Sequence, residues 1–267
     1  MNKLSKARAE LLETEDLAGK SSFVHALHPL AKLITTCLYI LTVVSFPKYN
    51  LSGLAIMALY PVLLFQAAEL SVGLCFYRLR VVLPLVCAVG LANPVFDRHV
   101  LLYVGAIPIT GGTLSMVSLM LKGVFSLMAS FLLIATTSID SLCGALRKLH
   151  VPSVLTSLLL LTYRYIGVML EEVAVMTEGY ALRAPNQKGI HISAWGSFLG
   201  QLLLRSMDRA EELYGSMVLR GFQGDFYYAD GQKFSGRDAI FCLITAALLL
   251  IARKMNIAEL LGQLIMR

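Results

Sequence analysis

Charge is what this sequence has least of. Only 15% of its 267 residues are Asp, Glu, Lys or Arg, against about 25% in an ordinary soluble domain. Hydrophobic residues make up 57% and mean hydropathy is +0.70, so water is excluded as the main solvent. The five cysteines, Cys37, Cys75, Cys87, Cys143 and Cys242, contain no C-x-x-C spacing. Neither a zinc site nor a disulfide framework is implied, and thiols in apolar stretches act as small hydrophobes. Dense basic clusters are missing too. The net charge of +6 is scattered between apolar runs, which fits loops facing an anionic lipid surface and gives no footprint for nucleic acid. No short basic region with a hydrophobic core precedes Lys20, so the first hydrophobic span is expected to stay in the mature protein.

Motifs of catalysis fail at required positions. Gly19-Lys20-Ser21 ends like a phosphate-binding loop, but that loop needs glycine where Thr14 stands, and no strand precedes it. Glu171-Glu172 opens the E-E-x-x-x-R pattern of an intramembrane protease family, yet Met176 occupies the arginine position and H-E-x-x-H occurs nowhere. The acidic pair then reads as the wet face of an amphipathic helix. His25 and His28 share a spacing that suits either a metal or a plain lead-in to the helix after Pro29.

What is present is a series of apolar runs. A bilayer core of about 30 Å takes about 20 helical residues. Leu30–Phe46, Leu51–Leu70, Val81–Phe96, Thr113–Thr137 and Ala239–Ala252 approach that length, the last being short. Pro47 to Asn50 between the first two make a tight helical hairpin. Asp97 to Gly112, with its glycines and Pro108, reads as a short hairpin or irregular cap on the face opposite the polar block that follows the fourth run. Lys122, inside the fourth run, either snorkels toward an end or faces a partner. Asn93 and Pro94 close the third run and suit a packing kink with a bond across helices. Five spans put the two chain ends on opposite faces, whereas Arg253 and Lys254 after the last run favour the same face.

Pro152 to Arg183 is different. Its apolar start passes into Tyr163, Arg164, Glu171, Glu172 and Glu178 without a breaker, giving a rod of about 48 Å that Pro185 stops near Arg183. A second amphipathic pattern carries Trp195, Leu199, Leu202, Leu213 and Met217 on one side and Arg205, Asp208, Arg209, Glu211 and Glu212 on the other. It ends on Arg220 and the breaker Gly221. Singly, either terminal arginine has a sufficient purpose in complementing its helix dipole. Two such ends in one polar block also suit docking, because a guanidinium fork pairs well with carboxylates in a partner's groove.

Three stretches carry a family resemblance. His25-Ala26-Leu27-His28-Pro29-Leu30-Ala31-Lys32-Leu33 is similar to the His-x-Leu-Asp-Pro-Arg-x-Lys-Leu start of the transmembrane (T) components of energy-coupling factor transporters, with His28 and Leu30 departing from it. Tyr163-Arg164-Tyr165-Ile166, Glu171-Glu172 and Ala181-Leu182-Arg183-Ala184 resemble the first coupling helix and its Ala-Arg-Gly signature. Leu204 to Glu212, then Met217-Val218-Leu219-Arg220-Gly221-Phe222-Gln223-Gly224, resemble the second, with Leu219 in place of alanine. Within that family the chain most resembles the cobalt-type Q subunit.

The resemblance implies an all-α polytopic membrane protein of about five transmembrane helices plus two long amphipathic coupling helices. It implies an N-terminal cytoplasmic segment (1–29), a membrane domain (30–137), a coupling region (138–237), and a last span with the C-terminus (238–267). The function implied is that of a noncatalytic scaffold in a prokaryotic cytoplasmic membrane, coupling two P-loop ATPase subunits to a substrate-binding membrane subunit for cobalt or nickel uptake. ATP is bound by the partners and no cofactor by this chain. Docking is expected at Arg183, Ala184, Arg220 and Gly221, supported by Arg164, Glu171, Glu172, Arg205, Asp208, Arg209 and Glu212. The competing reading, a self-sufficient secondary carrier, needs polar groups converging near the midplane, where Lys122 and Asn93 are the candidates.

Overall fold

An apolar backbone removed from water must satisfy its own N–H and C=O groups, and a helix does this within one segment. The computed structural model describes residues 3–48, 50–96, 100–104, 107–187, 189–224, 226 and 234–254. In chain order it contains α1 (Lys3–Ala18), α2 (Pro29–Val44), α3 (Leu51–Met57), α4 (Leu59–Ala67), α5 (Val72–Leu79) and α6 (Leu83–Phe96). The strands β1 (Val100–Val104) and β2 (Ile107–Thr110) precede α7 (Gly111–Thr136), α8 (Ile139–Lys148), α9 (Ser153–Arg183), a 3-10 turn (Ile192–Ala194), α10 (Trp195–Leu219) and α11 (Gly236–Lys254). The strands pair antiparallel, Val104 opposite Ile107 and Val100 opposite Thr110, as the hairpin reading of this segment expects. The fold is that of an all-α polytopic membrane protein with one small hairpin.

Two compact units emerge. Leu17–Ser138 with Gln232–Arg267 form a membrane unit, and Met1–Asp16 with Ile139–Gly231 form an inserted unit.

Within the membrane unit α7 is central, packing on α2, α3, α4, α5 and α6. Hydrogen bonds at the two ends of α2 fix the antiparallel course of α7 along it. Lys32 Nζ donates to Thr136 O at 2.7 Å, and Lys122 Nζ donates to Val44 O at 3.1 Å and Phe46 O at 2.5 Å. Lys122 therefore serves as a cationic cap on the carbonyls that the end of α2 leaves open. Asn93 Nδ2 donates to Ser115 Oγ at 3.1 Å, joining α6 to α7 as the bond across helices that the sequence suggests. One apolar cluster gathers Phe65, Leu70, Cys75, Leu79, Phe131 and Leu132, and a second gathers Tyr39, Val43, Leu54, Met57, Phe125 and Leu249. Leu41, Leu59, Leu85, Leu243 and Leu248 are exposed, a distribution suited to lipid contact.

The five apolar runs differ in length and continuity as helices. Among the described residues of those five runs, only α7 is long and apolar enough to cross a bilayer by itself, α2 is shorter, and Gly53–Ala67 qualifies only jointly with Val72–Leu79 across a 113° bend. The second run breaks at Ala58 because Pro61 has no N–H for the Met57 carbonyl four residues back. The buried Tyr39 hydroxyl satisfies that carbonyl instead, at 3.0 Å. The α2 and α11 N-termini adjoin, since Asp238 Oδ1 accepts the His28 N–H at 2.9 Å and Leu249 packs with Tyr39 and Val43. The end of α11 at Arg253 thus lies at the opposite end of the membrane unit from Pro29.

In the inserted unit, α8 packs on α9. α8 has Asp140 in its first turn and Arg147 and Lys148 in its last, matching the helix dipole. Burial, with the Asp140 carboxylate adding to it, pushes the Cys143 thiol above its usual range, so it stays a neutral apolar side chain. α8 closes through His150 N–H to Arg147 O (3.0 Å) and Val151 N–H to Leu146 O (3.2 Å), with His150 left-handed at φ 63°. Glycine normally takes this closing position. His150→Gly is expected to stabilise the chain by roughly 1 kcal/mol, raising the unfolding midpoint by about 2–4 °C in a detergent melt.

Candidate functional site

The site is built by two long helices of the inserted unit. α9 runs 31 residues without a break, about 46 Å, and is itself long and apolar enough to cross a bilayer. Its last turn closes with Ala184 N–H on Tyr180 O at 3.0 Å, and Ala184 leaves the helical region at φ −130° ahead of Pro185. The Tyr180 hydroxyl donates to Gln187 Oε1 at 2.8 Å and accepts the His191 N–H at 3.3 Å. One side chain on the last turn of α9 thus folds the following loop back and leaves Arg183 exposed at the tip.

α10 ends by a fuller cap. Gly221, at φ +82°, lets its N–H reach Val218 O at 2.9 Å while the Phe222 N–H reaches Met217 O at 3.0 Å. These are the two bonds of a closed helix C-terminus, with glycine supplying the left-handed step. Arg220, just before that step, is exposed. Among the described residues neither the Arg183 nor the Arg220 guanidinium forms an ion pair. The chain beyond the cap is tied down, since Arg147 Nη1 on α8 donates to Phe226 O at 2.6 Å and the Phe226 ring packs 5.0 Å from Phe222.

The supporting residues fall into two groups. Glu172 of α9 pairs with Arg205 of α10, and Arg209 lies 3.7 Å from Glu212. With Val168, Met169 and Asp208 these residues line a groove of about 340 Å³ where the helices meet. The pairs are half-exposed, so each contributes only about 0.2–1 kcal/mol; Glu172–Arg205 joins the two helices, while Arg209–Glu212 lies within α10. Arg164 instead pairs with Asp140 of α8 at 3.3 Å, and Glu171 is exposed on α9 away from the groove lining. From the crossing, α9 extends about 16 Å to Arg183 and α10 about 22 Å to Arg220. The arginines are thus the ends of two levers, outside the groove.

A feature the sequence reading passed over is the leucine before each arginine. Leu182 is 83% exposed and Leu219 90%, so each tip offers an apolar knob beside a guanidinium. The repeated Leu-Arg pair was available as a signal. His25 and His28 are engaged structurally. His25 Nε2 lies 3.0 Å from Leu17 O, and His28 Nδ1 accepts the Leu30 N–H at 3.1 Å to cap α2. Among the described residues no group of three or more His, Cys, Asp or Glu is arranged to hold a metal.

Fold and site together define a polytopic helical membrane protein that carries a pair of long amphipathic helices with exposed basic tips. Residues 20–228 match the CbiQ family, described as cobalt transport protein, a range that includes both tips. The chain belongs to that family of membrane transport components. It is 33% identical over 96 residues to the cobalt transport protein CbiQ of Rhodobacter capsulatus, covering 35% of this chain and 38% of that one. To the nickel permease LarQ of Lactiplantibacillus plantarum it is 29% identical over 103 residues, covering 39% and 38%. With the energy-coupling factor transporter transmembrane protein EcfT of Bacillus subtilis, identity is 24% over 254 residues, 87% of this chain and 95% of that one. The chain thus spans under two-fifths of LarQ and CbiQ, and nearly all of EcfT.

Proposed function

We propose that this chain is the noncatalytic transmembrane coupling subunit of an energy-coupling factor importer in a prokaryotic cytoplasmic membrane. Two P-loop ATPase subunits bind and hydrolyse ATP and dock on the tips at Arg183-Ala184 and Arg220-Gly221, and a separate membrane subunit captures the substrate. Residues 1–29 and 138–237 face the cytoplasm. The observation that carries the reading is the pair of long crossed helices, each finishing on an exposed Leu-Arg tip. Near full-length similarity to EcfT supports it. Cobalt or nickel is the cargo that the names of CbiQ and LarQ favour. Capture of the ion is assigned to the partner because the rings of His25 and His28 are occupied with backbone groups.

The reading as a self-sufficient carrier loses its two candidates, since Lys122 caps the end of α2 and Asn93 bonds Ser115. Purification of the tagged chain from native membranes in mild detergent, with mass spectrometry of what accompanies it, tests the proposal. Two ATPases and a small membrane protein are expected, whereas a solitary chain that transports in liposomes would restore the carrier reading.

A further inference from the structure

The inserted unit leaves the membrane unit after Ser138 and returns to it at Gln232. Besides the Asp16–Leu17 link, these two connections are the chain's crossings between the two units. Both are held on the first turns of one helix, α2. Lys32, 6% exposed, donates from Nζ to Thr136 O at 2.7 Å, the last residue of α7 and the start of the outgoing connection, and to His25 O at 3.1 Å. Asp238, 5% exposed, stands in the first turn of α11, where the incoming connection ends. Its Oδ2 accepts the Ser235 N–H at 2.8 Å and so fastens the start of α11. Its Oδ1 accepts the N–H of His28 at 2.9 Å, and His28 in turn caps α2 through its own ring.

One carboxylate thereby satisfies a donor at each of two helix N-termini, and one ammonium satisfies an acceptor at a helix C-terminus. The signs match the dipoles, with the anion at the two positive ends and the cation at the negative end. Neither residue lines the groove of the inserted unit. Leaving either of them buried without its partners is costly, so the ends of α7 and α11 are bound to α2 more firmly than an exposed turn would bind them.

We infer that Lys32 and Asp238 are positioning residues that clamp the outgoing and incoming connections to α2, so that force from the inserted unit moves the membrane unit as one body instead of fraying α7 and α11. This rests on the coupling role proposed above. The test uses the chain in complex with its ATPases and substrate-binding subunit, comparing wild type with Asp238→Asn and Lys32→Met. Hydrogen exchange by mass spectrometry follows residues 25–32, 134–138 and 234–242, and liposome assays give transport per ATP hydrolysed.

Exchange in these segments is expected to speed up at least tenfold in each variant, with the partners still copurifying and ATP hydrolysis continuing. Transport per ATP is expected to fall at least fivefold, and Lys32→Arg, which keeps donors at that site, to recover most of it. Unchanged exchange in both variants would overturn the clamp. Faster exchange with unchanged transport per ATP would overturn its part in coupling, and failure of both variants to accumulate in the membrane would reduce the pair to a folding requirement. If the wild-type chain copurifies with no ATPase, the coupling reading and the positioning role fall together, while the exchange data still judge the clamp.

Discussion

Arg220→Glu is expected to weaken ATPase docking at least 30-fold while the protein still folds and inserts. The side chain is exposed just before the closing step of α10 at Gly221, so reversing its charge disturbs no ion pair among the described residues. A central arginine at an interface commonly carries 2 kcal/mol or more, and facing a partner carboxylate with glutamate adds repulsion to the loss. A loss of about 2 kcal/mol is close to 30-fold in the dissociation constant. Arg183→Glu is expected to act in the same direction, and the double variant to leave no recoverable complex. Quantitative copurification reads docking, and a monodisperse size-exclusion peak of the variant reads folding. Wild-type amounts of ATPase on Arg220→Glu would remove the arginine tips from the interface.

Gly123→Val is the stability change with the largest expected effect. A Cβ at Gly123 on α7 would stand 2.6 Å from Val86 Cγ1 on α6, and valine is stiff about χ1, so the two helices must separate. Overpacking of this kind costs typically 1–3 kcal/mol. Taking about 2 kcal/mol, the unfolding midpoint falls by about 4–8 °C. Gly179→Ala on α9 is the control, since nothing lies within 4 Å of its Cβ position. Alanine there is expected to leave the midpoint unchanged or raise it slightly.

Much of the fold was legible because it follows from periodicity and punctuation. α9 stops at Arg183 ahead of Pro185, α10 stops ahead of Gly221, and the Gly- and Pro-rich segment before α7 forms a hairpin. α8 was legible in principle, since Ile139, Leu142, Cys143 and Leu146 recur at helical spacing. With only ten residues it is too short to read as a membrane span. α5 is hidden for a different reason. It continues the apolar composition of α4, and the bend between them depends on Glu69 adopting φ 54° where no glycine marks the turn. The break at Ala58 was foreshadowed by Pro61, but the hydroxyl that makes it tolerable comes from Tyr39, on another helix.

By itself the sequence determined that the chain lies in lipid, that two long amphipathic helices follow the fourth apolar run, and that each ends on an arginine. These properties depend on composition and on spacing along one helix, and both are local. The tertiary structure alone decided what several of the charged side chains do. Lys122 meets carbonyls of α2, Glu172 meets Arg205 across two helices, and Lys32 and Asp238 gather three helix ends on α2. All of those partners but Ser235 are distant in sequence, and a charge is explained only by the group that packing brings to it.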